Sequence, residues 1–430
     1  MLKLKRDEFF SYIMLHKWPY WIAALIVGLI AIGYSRIVTF CELFADKIFK
    51  TNPEYFFIIT PLFFLASWAI VYFFAPEARG SGIPQVMAAV EIIEKNETPQ
   101  KAEKLLGLRI SLVKVISSAL ALLGGGAIGR EGPTLQISAS IFYIASKKIS
   151  LFKKYISPET WVVTGAAAGL AAAFNTPLGG LVYAIEELAT QHLNKFKTSL
   201  ITAVIISGFA SQMISGPYLY LGYPQILPME KELIATIIII SILCGLLGAL
   251  FGKTIFRLSQ LKARYFKSTK SLALFSLSCG LLTAATIYFV DHHFMGSGKE
   301  LLLTLLFTEE KSELHVTVLR FFAPIVTYLG GGAGGIFAPS LAAGGSIGNY
   351  IANLTSIPNS NLCTLLGMIA FLTGVTRAPF TAFILVLEMT DRHSSIFPMM
   401  LSAVLANNFA KMVEDRSFYE LIKETYTKDQ

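Results

Sequence analysis

Charge is what this 430-residue sequence lacks most. Charged side chains make up 15% of it and hydrophobic ones 54%, with a mean hydropathy of +0.59. A soluble domain covers its surface with about 25% charged residues. The shortfall excludes a soluble enzyme and a disordered chain. Cysteine is also scarce. Cys41, Cys244, Cys279 and Cys363 each lie in or beside an apolar stretch, and none forms a C-x-x-C. They read as small core residues, which excludes a disulfide scaffold. No H-E-x-x-H is present, and Asp291-His292-His293 closes an apolar run, so it reads as a surface loop with no metal expected. Gly124-x-Gly126-x-x-Gly129 and Gly330-x-Gly332-x-x-Gly335 follow no strand pattern and lack an acid about 20 residues on. Gly252-Lys253-Thr254 mimics a phosphate-loop ending, but Leu247 stands where its first glycine belongs. No cofactor and no enzymatic activity are expected. The net charge of +8 is scattered between apolar runs, which fits basic cytoplasmic loops rather than nucleic-acid binding.

What is present is a series of uncharged runs. Residues 18–35, 55–76, 233–252 and 271–290 each have the length of a spanning helix, about 20 residues. Residues 198–229 and 321–376 are longer and broken by Gly and Pro. Lys3, Lys5 and Arg6 precede the first run without a convincing cleavage site, so no secretory signal is expected and the N-terminus is placed in the cytoplasm. The lipid bilayer is the expected surrounding of an all-α polytopic chain.

The sequence repeats itself. LGGGAIGREGP (123–133) and LGGGAGGIFAP (329–339) share seven of eleven positions at an offset of 206. Gly165, Pro177 and Glu186 recur as Gly367, Pro379 and Glu388 at an offset of 202. Two ordered matches at nearly one offset imply a duplicated half. In transporters such halves often form inverted repeats that enclose a site near the midplane, built from broken helices. The expected division is a cytoplasmic segment 1–18, a first repeat 19–215, a second repeat 216–415 and a short segment 416–430 carrying Tyr419.

Three segments pair glycine with a helix-starting proline: Gly80-Ser81-Gly82-Ile83-Pro84, Gly129-Arg130-Glu131-Gly132-Pro133 and Gly335-Ile336-Phe337-Ala338-Pro339. Gly296-Ser297-Gly298 is a weaker fourth. Glycine lets backbones approach, and proline suits a first helical turn. Helix starts offer free N–H groups and partial positive charge, which hold an anion without a full ionic bond. Between Val115 and Ser146 the only charged residues are Arg130 and Glu131. An acid at membrane depth marks an ion or proton pathway, and Glu131 beside an anion site can compete for it until protonated. Glu186 has a repeat counterpart in Glu388, whereas Glu187 faces Met389. Glu187 therefore suits a duty performed by one half only. Lys114 interrupts an apolar stretch and is read as electrostatic support.

With these residues in hand, the sequence resembles the CLC family of chloride channels and chloride/proton antiporters, prokaryotic type, from about Tyr20 to Tyr419. The signatures GSGIP (80–84), GREGP (129–133) and GIFAP (335–339) stand in the family's order. The resemblance implies two inverted repeats of tilted, broken helices, about 18 segments in all, and a homodimer with one pathway per subunit. It implies a chloride site formed by the Ser81 and Tyr419 hydroxyls and the Ile336 and Phe337 N–H groups. Gly80, Gly82, Pro84, Gly129, Arg130, Gly132, Gly335, Glu186 and Lys114 support that site. Glu131 matches the external gating glutamate and Glu187 the internal proton-transfer glutamate. Serine at 81 points to chloride rather than nitrate, GREGP points away from fluoride exporters, and Glu187 favours an antiporter over a channel of the same fold. Gln85 and Met87 depart from relatives that carry acids there. A bacterial inner membrane is the expected location.

Overall fold

A computed structural model describes residues 2–95, 97, 99–148, 157–188, 197–216, 219–227, 233–308, 310–355 and 357–427, with the side chains of 2–17 and 197 left aside. The first half contains α1 (Leu2–Thr51), α2 (Phe56–Phe74), α3 (Ile83–Glu94), α4 (Pro99–Leu105) and α5 (Leu108–Leu123). It continues with α6 (Glu131–Lys148), α7 (Pro158–Phe174), α8 (Pro177–Tyr183) and α9 (Lys197–Ser215). The second half contains α10 (Leu233–Tyr265), α11 (Thr269–Phe289), α12 (Lys299–Phe307), α13 (Leu314–Gly330) and α14 (Phe337–Leu354). After these come α15 (Ser360–Thr376), α16 (Pro379–Thr390), α17 (Ile396–Ala410) and α18 (Phe418–Thr427). Among the described residues, six helical segments are long and apolar enough to cross a membrane, the one in α1 running from Trp18 to Thr51. The Gly252-Lys253-Thr254 stretch lies inside α10, so it forms no phosphate loop.

The halves repeat element by element. α6 and α14 stand 206 residues apart at both ends, and α7 and α15 stand 202 apart. Left-handed residues recur at matching places: Asn175 (φ 56°) and Arg377 (φ 61°) cap α7 and α15, and Gly80/Gly82 recur as Gly296/Gly298. The direction of the repeat is read from a reciprocal contact. The Glu186 carboxylate, just beyond the end of α8, accepts the Phe380 N–H (3.1 Å) and Thr381 N–H (2.7 Å) at the start of α16. Glu388, near the end of α16, accepts the Leu178 N–H (3.1 Å) and Gly179 N–H (2.6 Å) at the start of α8. Each helix begins where its mate ends, so the two run antiparallel. The halves are therefore inverted relative to each other, and this pair of exchanged caps fixes them. A helix start leaves up to four N–H groups without partners, and a carboxylate there also complements the helix dipole.

Ion pairs gather the other ends. Lys423 of α18 bonds Glu91 of α3 (2.9 Å), and Lys253 of α10 lies 3.7 Å from Glu414. These place the end of α3 and the Lys253 stretch of α10 on the face that carries α18, here called the tail face. On the opposite face Phe49 of α1 stacks against His292 beyond α11 (5.1 Å). The core between them is dominated by small and aliphatic residues of α7, α14 and α15, where Gly344 and Gly367 bring two backbones together; a Cβ on either would overlap the other's carbonyl. Such small-residue contacts drive helix packing where lipid removes the hydrophobic contrast.

Glu388→Ala removes the acceptor for two N–H groups at the start of α8. The expected cost is about 1–2 kcal/mol, read as a lower apparent melting temperature of the detergent-purified protein. Glu388→Gln, which keeps one acceptor oxygen, should lower it less. Equal melting of all three proteins would contradict the capping role.

Candidate functional site

Three broken helices meet where the signatures lie. Gly129 and Gly335 exchange both backbone bonds, Gly129 N–H to Gly335 O (2.7 Å) and Gly335 N–H to Gly129 O (2.9 Å). This two-residue ladder pins the start of α6 to the start of α14. Gly80 joins the same knot: its N–H donates to Gly332 O (2.9 Å), and its carbonyl accepts from Gly334 N–H (3.0 Å). The fully buried Lys114 donates its ammonium to that carbonyl as well (2.9 Å). Lys114 therefore holds the turn before Ser81 and does not reach the membrane surface. Gly80 (φ 68°) and Gly82 (φ 104°) adopt the left-handed conformation that glycine tolerates. Gly82 is the cap of α3, with Pro84 in its first turn.

Ser81 and Tyr419 are buried, and neither hydroxyl oxygen has a hydrogen-bond partner in good geometry. The two hydroxyls lie close enough to interact with each other. Ser81 also packs on the start of α6, since a Cβ at Gly132 would overlap its Oγ. Tyr419 is set by a capping box: Ser417 N–H donates to Glu420 Oε2 (2.8 Å) and Glu420 N–H to Ser417 Oγ (3.0 Å). That box starts α18 and puts Tyr419 on its first turn. α18 then packs along α3.

Glu131 opens α6 and is fully buried, its two carboxylate oxygens likewise without a well-formed hydrogen bond. One oxygen lies against Gly129, and the Ala338 N–H at the start of α14 faces the carboxylate. Arg130 bonds elsewhere. Its guanidinium donates to the Ser35 hydroxyl and to Ala173 O (3.3 Å), and stands over the Tyr220 ring. Ile336 caps α14 and Phe337 begins it; both are buried. The structure thus brings Ser81, Glu131, Ile336, Phe337 and Tyr419 together as one site.

The remaining predicted residues separate from it. Glu187 lies half-buried in a π-helical turn, Ala184–Leu188, of the kind found at functional sites. With Arg377, Glu420 and Lys423 it lines a cavity of about 480 Å³ that opens on the tail face. Glu186 caps α16, where its carboxylate bonds Phe380 and Thr381, and it lines the same cavity as Glu187. The weaker fourth segment needs correction: at Gly296-Ser297-Gly298 the Glu42 carboxylate already accepts the Ser297 N–H (2.8 Å). That turn is filled by the protein's own anion.

Sequence reasoning missed one residue and noted another without giving it a role. Tyr183 is buried with an unpartnered hydroxyl, four positions before Glu187 and close to both Glu187 and Tyr419. Its place one turn from an unmatched acid was the available signal. Gln85 is the other. Its amide donates to Glu77 O (2.9 Å), Arg79 O (2.7 Å) and the Tyr426 hydroxyl (3.1 Å), tying α3 to α18. An ionised acid there would have no proton to donate.

A family model described as voltage gated chloride channel matches residues 62–411. The chain belongs to that family. Among its relatives, the H(+)/Cl(-) exchange transporter ClcA of Citrobacter koseri is 28% identical over 427 residues, covering 93% of this chain and 86% of the relative. The ClcA of Vibrio cholerae serotype O1 is 28% identical over 464 residues, covering 100% and 95%. A slow cyanobacterial Cl-/H+ antiporter crystal structure superposes with a TM-score of 0.82 at 24% identity, over 96% of this chain and 98% of that one. A CLC-type fluoride/proton antiporter follows at 0.78 and 20% identity, covering 95% and 98%. These structural likenesses establish that the fold is shared.

Gly132→Ala places a methyl group against Ser81 Oγ and 2.7 Å from the Ser81 carbonyl. Overpacking of this kind costs about 1–3 kcal/mol. The expected result is a lower apparent melting temperature, whereas Gly33→Ala, where a Cβ meets nothing within 4 Å, should leave it unchanged or higher. The reverse order would contradict the close approach of α6 to Ser81.

Proposed function

We propose that the protein exchanges chloride for protons across a bacterial inner membrane by secondary active transport. One observation carries this reading: two buried hydroxyls without partners, Ser81 and Tyr419, converge with a buried carboxylate, Glu131, on the starts of α6 and α14. Neutral O–H donors and helix-start N–H groups attract an anion and release it again, which a lysine or arginine ligand would resist. Chloride is the substrate ion, held by Ser81, Tyr419 and the Ile336 and Phe337 N–H groups. Relatives named H(+)/Cl(-) exchange transporters support the choice of ion and of coupled exchange.

Glu131 is the gate. Ionised, its carboxylate takes the anion's place against the Ala338 N–H. Protonated, it withdraws and lets chloride through, so one group couples the two ions. Glu187, reached from the tail face through its cavity, loads and unloads protons, and Tyr183 lies close to both it and Tyr419. The tail face is assigned to the cytoplasm because Lys95, Lys253, Arg416 and Lys423 gather on it. The N-terminus, which precedes the crossing segment Trp18–Thr51 of α1, is assigned to the same side. The halves divide as 19–215 and 216–415, followed by 416–430. Two such chains form a homodimer in the lipid bilayer, each with its own pathway. Catalysis of a covalent reaction is not part of this function.

Glu131→Gln should keep chloride flux in liposomes and abolish proton movement coupled to it. Coupling retained in this variant would overturn the assigned role. Ser81→Pro removes a hydroxyl donor and should shift the chloride/nitrate flux ratio toward nitrate. An unchanged ratio would remove Ser81 from selectivity.

A further inference from the structure

Beyond the end of α11, Asp291 collects three imidazoles. Its Oδ1 lies 2.7 Å from His293 Nδ1 and 3.3 Å from His292 Nδ1, and its Oδ2 lies 3.0 Å from His315 Nε2. The ligand atoms of Asp291, His292 and His293 all lie within 4.8 Å of one another. His315 comes from the start of α13 and completes the group from the opposite side of the carboxylate. The sequence showed only a loop, because His315 is 22 residues beyond His293.

Two of the rings are held by a second contact. The other nitrogen of His315, Nδ1, lies 3.1 Å from Glu313 Oε2. This carboxylate–imidazole pairing is what orients metal-bound histidines. His292 stacks on Phe49 at 5.1 Å and 17°. Asp291 Oδ1 also accepts the His293 N–H (2.7 Å), which fixes the carboxylate. Arg320 donates to the Met295 and Gly296 carbonyls. Tetrahedral ligands about 2.0–2.1 Å from a zinc ion stand about 3.3 Å apart, closer than the 4.8 Å that spans the Asp291, His292 and His293 ligand atoms, so a bound ion draws these side chains together and turns His315 toward them from Oδ2.

We propose that Asp291, His292, His293 and His315 bind a divalent transition-metal cation of the zinc class. Imidazole and carboxylate ligands select such a cation over Mg²⁺ or Ca²⁺, which prefer oxygen alone. The bound cation ties the connection after α11 to the start of α13. α13 leads directly into residues 331–336, which carry Gly332, Gly334 and Gly335 of the signature knot, so the tether slows exchange.

The test is Zn²⁺ titration of the untagged full-length protein in detergent by calorimetry. One Zn²⁺ per chain is expected. His292→Ala and His315→Ala should each weaken binding at least about tenfold. His292→Gln and His315→Gln keep an amide to bond Asp291 and should weaken it as much. His393→Ala, which alters the exposed His393–Asp391 pair, should change nothing. No Zn²⁺ bound by the unsubstituted protein, or equal binding by the His292 and His315 variants, would overturn the site. In liposomes Zn²⁺ should slow the unsubstituted protein and spare His315→Gln; equal effects on both would overturn the tether.

Discussion

A helix that stops inside a membrane leaves N–H groups with no water to satisfy them, and each such group costs several kcal/mol in hydrocarbon. The rest of this structure depends on that constraint. The protein breaks its helices at the centre and answers the exposed donors in two ways. Some are bonded by the chain itself: Glu186 and Glu388 cap each other's helices, and Gly129 and Gly335 bond each other. Others, at the starts of α6 and α14, are left beside Glu131, Ser81 and Tyr419. The first group makes the scaffold rigid, and the second makes it able to receive an anion.

The inverted repeat supplies the scaffold, and departures from the repeat supply the chemistry. Glu131 opens α6, while its counterpart opening α14 is Phe337. Glu187 has Met389 opposite it. Ser81 has an unpartnered hydroxyl in a Gly-Ser-Gly turn, while the matching turn around Ser297 is filled by Glu42. A symmetric frame thus yields one anion site, one gating acid and one inner acid. Proton and chloride paths can then share the centre and part toward the tail face, where Glu187 has its own cavity.

Much of this was legible in the sequence because it is local. Glycine–proline punctuation, the two offsets and the lone acid between Val115 and Ser146 are all readable one residue at a time. The duplicated half and the three signature loops therefore stood out. What was hidden depends on partners distant in the chain. Glu186 reads as an acid near a pathway and is a cap, because its partners lie about 195 residues away. Gly296-Ser297-Gly298 reads as an anion site until Glu42, 255 residues earlier, fills it. Gln85 reads as a departure from family pattern and proves to use its amide N–H groups to join α3 to the turn before it and to α18. His315 is invisible beside His292 until α13 folds back.

The central claim is that Glu131 couples proton movement to anion movement through one site. The most direct test is proton movement in liposomes containing the purified protein, under a chloride gradient, with no initial pH gradient and the membrane potential clamped at zero. Protons moving uphill, opposite to chloride, are the predicted result. Chloride flux with no proton movement would contradict the account and leave a passive pathway in the same fold.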